Sequence, residues 1–137
     1  MKQLLDVIGG KQAILGLGSK VFLVNCSDSK QEASPIRELE IKAVGAEDGT
    51  TIQAVSVTES PDGILCAVAC SDKSLLIFRA LDDCTPIAFK TAKRISSMMF
   101  TTVGDDDQCV LVTADLGGDA TAYPIHAENI SVTGHIL

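Results

Sequence analysis

A chain of 137 residues with 46% hydrophobic content has enough apolar mass for one buried core, and its formal net charge of −7 with a pI near 4.6 sets its summed field against phosphate backbones. An autonomous nucleic-acid binder is excluded as a first expectation. Aromatic residues make up 4% with no Trp, and the mean hydropathy of +0.28 rests on Val, Ile, Leu, Ala and Cys, a mixture that favours strands. The longest apolar run, residues 64–70, falls far short of the roughly 18 residues of a membrane-spanning helix. The opening "MKQLLDVIGG" has one Lys and a short apolar patch broken by Asp6, unlike a secretory signal, so a cytosolic or nuclear location is expected. Five cysteines, Cys26, Cys66, Cys70, Cys84 and Cys109, make an odd count that reads as small buried hydrophobes rather than a disulfide framework. Without secretory entry, the acceptor patterns Asn25-Cys26-Ser27 and Asn129-Ile130-Ser131 are incidental.

In chain order, residues 13–17 and 20–24 flank a tight turn at Gly18-Ser19 and read as a first hairpin. Residues 27–50 are polar and charged, contain Pro35 and Gly49, and show a weak strand-like alternation at 39–44, so the stretch reads as a linker. Residues 51–58 form the next strand, turned by Ser60-Pro61-Asp62-Gly63 into an apolar run at 64–69. A polar turn at 71–74 then leads to 75–78, closed by Arg79. An outer strand is expected at 85–91, where Pro86 is tolerable on an edge. Lys90, Lys93 and Arg94 form a basic spot that reads as a solvated edge or, alternatively, a partner or RNA contact. A strand at 95–102, a turn at 104–107, and a hairpin of 109–114 and 120–125 around a Gly- and Asp-rich turn complete the pattern.

The same strand, turn, strand unit thus recurs. Phe78 and Tyr123 lie 45 residues apart, and Val24 and Phe78 lie 54 apart, with the linker inside the longer interval. A period of ~40 to 45 residues with four strands per unit is the signature of a β-propeller blade. The expected fold is all-β, a partial β-propeller of two to three four-stranded antiparallel blades. Residues 1–27 give a first hairpin, 28–50 a polar linker, 51–92 and 93–133 a blade each, and 134–137 the start of another. A ring of ~4 to 8 blades needs roughly 160 residues at the least, so the ring is incomplete and the chain is expected to be the N-terminal fragment of a longer protein.

"SPDGILCAVACSDKSLLIF", from Ser60 to Phe78, resembles the WD-repeat family, with Phe78 where Trp is frequent and Arg79 in place of the usual Asp. Gly134-His135 matches the Gly-His that opens a blade in that family. Over a longer reach the chain is similar to the WD-repeat subunit of the tRNA (guanine-N7-)-methyltransferase. The matching positions are Lys93-Arg94, Phe100, Val110 to Val112, Ala114-Asp115, Gly118-Asp119 and Gly134-His135, together with the opening "SKVFLVNCSD". Thr113, Leu116 and Ala122-Tyr123-Pro124 depart from the pattern. The resemblance implies a non-catalytic subunit, located in the nucleus or in nucleus and cytoplasm, that binds and stabilises a catalytic methyltransferase partner as a heterodimer. It implies that S-adenosylmethionine belongs to that partner, that tRNA is met through the complex, and that no membrane is involved. A WD-repeat scaffold of another complex is the alternative, because propellers host many functions.

The chain itself offers little chemistry. Cys66 and Cys70 point to the same side of one strand, but a zinc site needs two further ligands, and His126 and His135 are not spaced to provide them. Gly16-Leu17-Gly18 is followed by a strand rather than the helix a phosphate site requires. Asp105-Asp106-Asp107 lacks the spaced acceptors of a calcium loop. No Ser, His and Asp set is supported, so catalytic, cofactor and metal residues are none, and the residues that contact a partner are not identifiable.

Overall fold

A computed structural model describes residues 3–8, 12–25, 34–41, 46–60, 63–79, 87–105, 108–126, 131–132 and 135–136. Among them every regular element is a strand apart from a single 3-10 residue at Ile41. The strands are β1 (Leu5–Ile8), β2 (Gln12–Leu17), β3 (Lys20–Asn25), β4 (Ser34–Glu40), β5 (Ile52–Ser60), β6 (Gly63–Cys70), β7 (Ser74–Arg79), β8 (Ile87–Lys90), β9 (Ile95–Val103), β10 (Gln108–Asp115), β11 (Ala120–His126), β12 (Ser131–Val132) and β13 (His135–Ile136). They form three antiparallel sheets, each a simple meander. The first runs β1-β2-β3-β4 and the second β5-β6-β7-β8. The third runs β9-β10-β11, with β12 and β13 sharing the outer edge of β11.

The second sheet lies between the other two, and its sequence shows why. Successive residues of a strand face opposite sides, and here both sides are covered. Cys66, Val68, Cys70, Leu76 and Phe78 join a cluster with Ile14, Val21, Leu23 and Ile41 of the first sheet and its exit. Their neighbours Leu65, Ala67, Ala69, Leu75 and Ile77 join Ile95, Met98, Phe100, Leu111 and Ile125 of the third. Strands buried on both faces read as unbroken apolar runs, which is the pattern of "ILCAVAC" and "LLIF". On the outer part of the second interface, the Phe89 and Tyr123 rings meet with centroids 5.5 Å apart at 56°.

The first strands of the sheets lie side by side, β1 against β5 and β5 against β9. Gln3 joins all three. Its backbone bridges β5 in parallel, donating from N to the Gln53 carbonyl at 3.0 Å and accepting from Val55 N at 2.8 Å. Its side-chain amide donates to the Val55 and Met98 carbonyls at 2.8 and 2.9 Å and accepts from Met98 N at 3.3 Å. Farther along β1, Asp6 Oδ2 accepts from Val57 N at 2.9 Å and from the buried Ser56 hydroxyl at 3.2 Å.

Three expectations from the sequence are corrected. The stretch read as a linker at 28–50 contains β4, which pairs with β3 from Lys20↔Glu40 to Asn25↔Ser34 through a bulge at Leu23/Val24. Its charges are those of a solvent-flanked edge strand, and one of them, Glu38, pairs with Lys20 at 3.1 Å. With β1 on the other edge, β2 and β3, expected as a hairpin within 1–27, are the middle of a four-stranded sheet. The segment expected to open another unit at 134–137 places His135 and Ile136 opposite Ala122 and Thr121, along β11. The outer edge of β11 offers unpaired backbone donors and acceptors, which these residues take up. The outer strand expected at 85–91 occurs as Ile87–Lys90, and Pro86 lies outside the described residues.

Candidate functional site

The most developed polar arrangement is on the rim where the hairpin turns meet the segments that enter the next sheet. The β6–β7 turn is closed by Lys73 N donating to the Cys70 carbonyl at 3.1 Å, with Lys73 in the left-handed region at φ 70°. Asp72 is its hub, with a side chain only 7% exposed. Its Oδ1 accepts from Ser74 N at 2.9 Å, and its Oδ2 accepts from Glu47 N at 3.1 Å and from Lys90 Nζ at 3.0 Å. Lys90 Nζ also donates to the Asp72 carbonyl at 2.9 Å. Burial pushes the Asp72 carboxyl up, but the bonds from Glu47, Ser74 and Lys90 outweigh it and hold the group well below the usual carboxylate range.

The same latches recur from sheet to sheet. Ser71 N donates to the Thr51 carbonyl at 2.8 Å, and Leu116 N to the Arg94 carbonyl at 2.9 Å, each tying a hairpin turn to the residue before its own sheet's first strand. Ile41 N donates to the Ser19 carbonyl at 3.0 Å, and Thr91 N to the Lys73 carbonyl at 2.8 Å, each tying a turn to the residue after the fourth strand. In the third sheet Asp115 Oδ1 caps its turn, accepting from Gly117 N at 2.8 Å and Asp119 N at 3.1 Å. The sequence period is therefore also a period of hydrogen bonds.

The basic spot divides on this rim. Lys90 is committed to Asp72, with Glu47 at 3.9 Å. Lys93 lies across Gly117 toward Asp119 at 3.8 Å. Arg94 is exposed and is the member of the three without an ion pair among the described residues. Two of the three positive charges thus face carboxylates, which weakens the spot as a phosphate contact.

Among the described residues, Cys66, Cys70 and Cys109 are present as thiols. Cys66 and Cys70 are buried on the same face of β6. Burial, then the Asp72 charge, pushes the Cys70 thiol up to about 12, with Lys90 opposing, and burial also raises Cys109. Cys70 and Cys109 therefore stay protonated and weakly nucleophilic at neutral pH. Among the described residues no group of three or more His, Cys, Asp and Glu side chains gathers as a metal site would require. Gly16 and Leu17 end β2, and Gly18 turns the chain at φ 62° into β3. Asp105 sits in an exposed turn, while Asp106 and Asp107 lie outside the described residues, as do Cys26, Cys84, Asn129 and Gly134. His126 and His135 are placed by backbone alone, in β11 and β13. Among the described residues, no helix is long and apolar enough to cross a membrane.

A shallow depression of about 560 Å³ opens beside the strand junction, lined by Gln3, Asp6 and residues of β9 and β10 including Met99, Thr101 and Thr113. Gln3 and Asp6 there are engaged in the inter-strand bonds described above. Neither was singled out as a functional residue from the sequence, where Asp6 figured only as a break in an apolar patch. The available signal was a polar residue at each end of a short N-terminal apolar stretch.

No protein-family model matches this chain, and a search of curated proteins finds no match either.

Proposed function

We propose that these sheets are blades of a WD-repeat β-propeller, and that the chain serves as a non-catalytic subunit of a tRNA (guanine-N7-)-methyltransferase complex. The observation that carries the fold half of this reading is the repetition of hydrogen-bond latches from one sheet to the next, with the first strands of all three sheets side by side. The functional half rests on the ordered sequence likeness from Lys93 to His135. In this reading the propeller steadies a catalytic partner, S-adenosylmethionine is held by that partner, and tRNA is engaged by the complex in the nucleus. A rim of turns and ion pairs is suited to binding rather than to bond-making.

Affinity capture of the tagged chain from its own cells, with the eluate assayed for N7-methylation of guanine in tRNA, tests the proposal. A co-purifying methyltransferase with that activity is expected. Reproducible capture of a different assembly, with no methyltransferase, would replace it with the reading of a WD-repeat scaffold in another complex.

A further inference from the structure

The basic spot encloses a hydroxyl. Lys73, Lys90, Lys93 and Arg94 are four of the chain's 11 Lys and Arg residues, and all four are exposed on one rim of a protein whose net charge is −7. Thr91 stands among them, half-buried, in the stretch 91–94 that leaves β8 and enters β9 outside either strand. Its Oγ1 lies 2.7 Å from the Lys93 carbonyl and 3.1 Å from the Lys73 carbonyl, and its N donates to the same Lys73 carbonyl at 2.8 Å. The side chains of Lys73 and Lys93 therefore spring from residues in direct contact with this hydroxyl. Those of Lys90 and Arg94 spring from one and three positions away in the chain.

The four cations are unequally committed. Lys90 is bonded to the Asp72 carboxylate and carbonyl, with Glu47 beside it. Lys93 reaches Asp119 at 3.8 Å with both side chains more than half exposed, a pair that holds it loosely. Lys73 and Arg94 have no ion pair among the described residues. A phosphate arriving from solution has to compete with the carboxylates for this spot, whereas one bonded to Thr91 is already in place. Ser96 also follows Lys93 and Arg94, but it sits inside β9 beside the buried Ile95, and its hydroxyl donates to the Ala114 carbonyl at 3.1 Å.

We propose that Thr91 is a phosphorylation site, modified by a protein kinase that selects basic residues beside its acceptor. Transfer forms a bond between Thr91 Oγ1 and the γ-phosphorus of ATP and breaks the bond from that phosphorus to the bridging oxygen. ADP leaves, and the hydroxyl proton passes to the base of the kinase. The product lacks the donor that the two carbonyls share, and the new anion is repelled by both carbonyl oxygens. The phosphate turns outward to Lys73, Lys93 and Arg94, which receive it in charge-assisted bonds. One modification thus removes the side-chain half of the latch between the β6–β7 turn and the entry to β9, and cancels the positive charge of the spot. The inference rests on this rim and not on the methyltransferase reading, so either can fail alone.

Peptide mapping by mass spectrometry of the chain captured from its own cells under phosphatase inhibition tests the site. Phosphate on Thr91 is expected. Phosphate confined to other residues, Ser96 included, or none in any preparation, would overturn the proposal. Phosphorus NMR of the phosphorylated chain tests the surrounding cations. The second pKa of the phosphothreonine should lie below the ~6 of an isolated phosphate ester. Lys73→Gln and Arg94→Gln should each move it back up while the far-UV circular dichroism spectrum stays unchanged. A phosphate that titrates as it does in a short peptide without basic residues would equally overturn the proposal.

Discussion

Gly16 shows how one residue can be dictated by a neighbouring sheet. A Cβ placed there would lie 2.7 Å from Ile52 Cγ2 and 3.3 Å from Ile52 Cβ; the Cβ is fixed to the backbone, and the buried, β-branched Ile52 has little freedom to turn its Cγ2 aside about χ1. Gly16→Val should therefore cost about 1–3 kcal/mol by overpacking, read as a lower urea midpoint with an unchanged slope. Gly117 is the control. Only the flexible Lys93 side chain stands in the way there, so Gly117→Ala should leave the midpoint nearly unmoved. At Asp72 the prediction concerns pH. A carboxyl held below its unfolded value contributes stability that is fully present above about pH 4 and is lost as pH falls through the folded pKa. The thermal midpoint of the wild type should drop below about pH 4, and Asp72→Asn should be less stable at neutral pH with a flatter acid limb. Equal acid limbs in the two proteins would remove Asp72 from the account.

Among the elements, legibility followed burial. The hairpins of β6 with β7 and of β10 with β11 were readable because apolar runs meet turns built from Asp, Ser and Gly. Lys73 and Asp72 then supply the positive φ and the side-chain cap that such a turn needs. β4 was not readable, since one flank faces solvent and its composition is that of a linker. The short β1 was missed for a different reason. Its place is fixed by Gln3 and Asp6 bonding to residues about fifty and ninety-five positions away, and no local pattern announces a contact of that range. Gln3→Ala should leave the Met98 N–H and two carbonyls without their partner and cost about 2 kcal/mol. Hydrogen exchange should show the loss first at the β1–β5–β9 junction, and uniform weakening across all three sheets would count against a local clamp.

For the whole molecule, the second sheet is covered on one face by the first sheet and on the other by the third, and neighbouring units are the main source of stability in such stacks. The candidate site is the part least accessible from sequence. The order of motifs suggested a partner and a process, while the rim around Asp72 and the clamp at Gln3 come from residues distant in the chain. The claim that this stack supports tRNA methylation is tested most directly by removing the protein from its own cells and quantifying N7-methylguanosine in the variable loop of purified tRNA. The account predicts that the modification falls and returns when the chain is restored as part of its complex. An unchanged level of N7-methylguanosine in cells that lack the protein would contradict it.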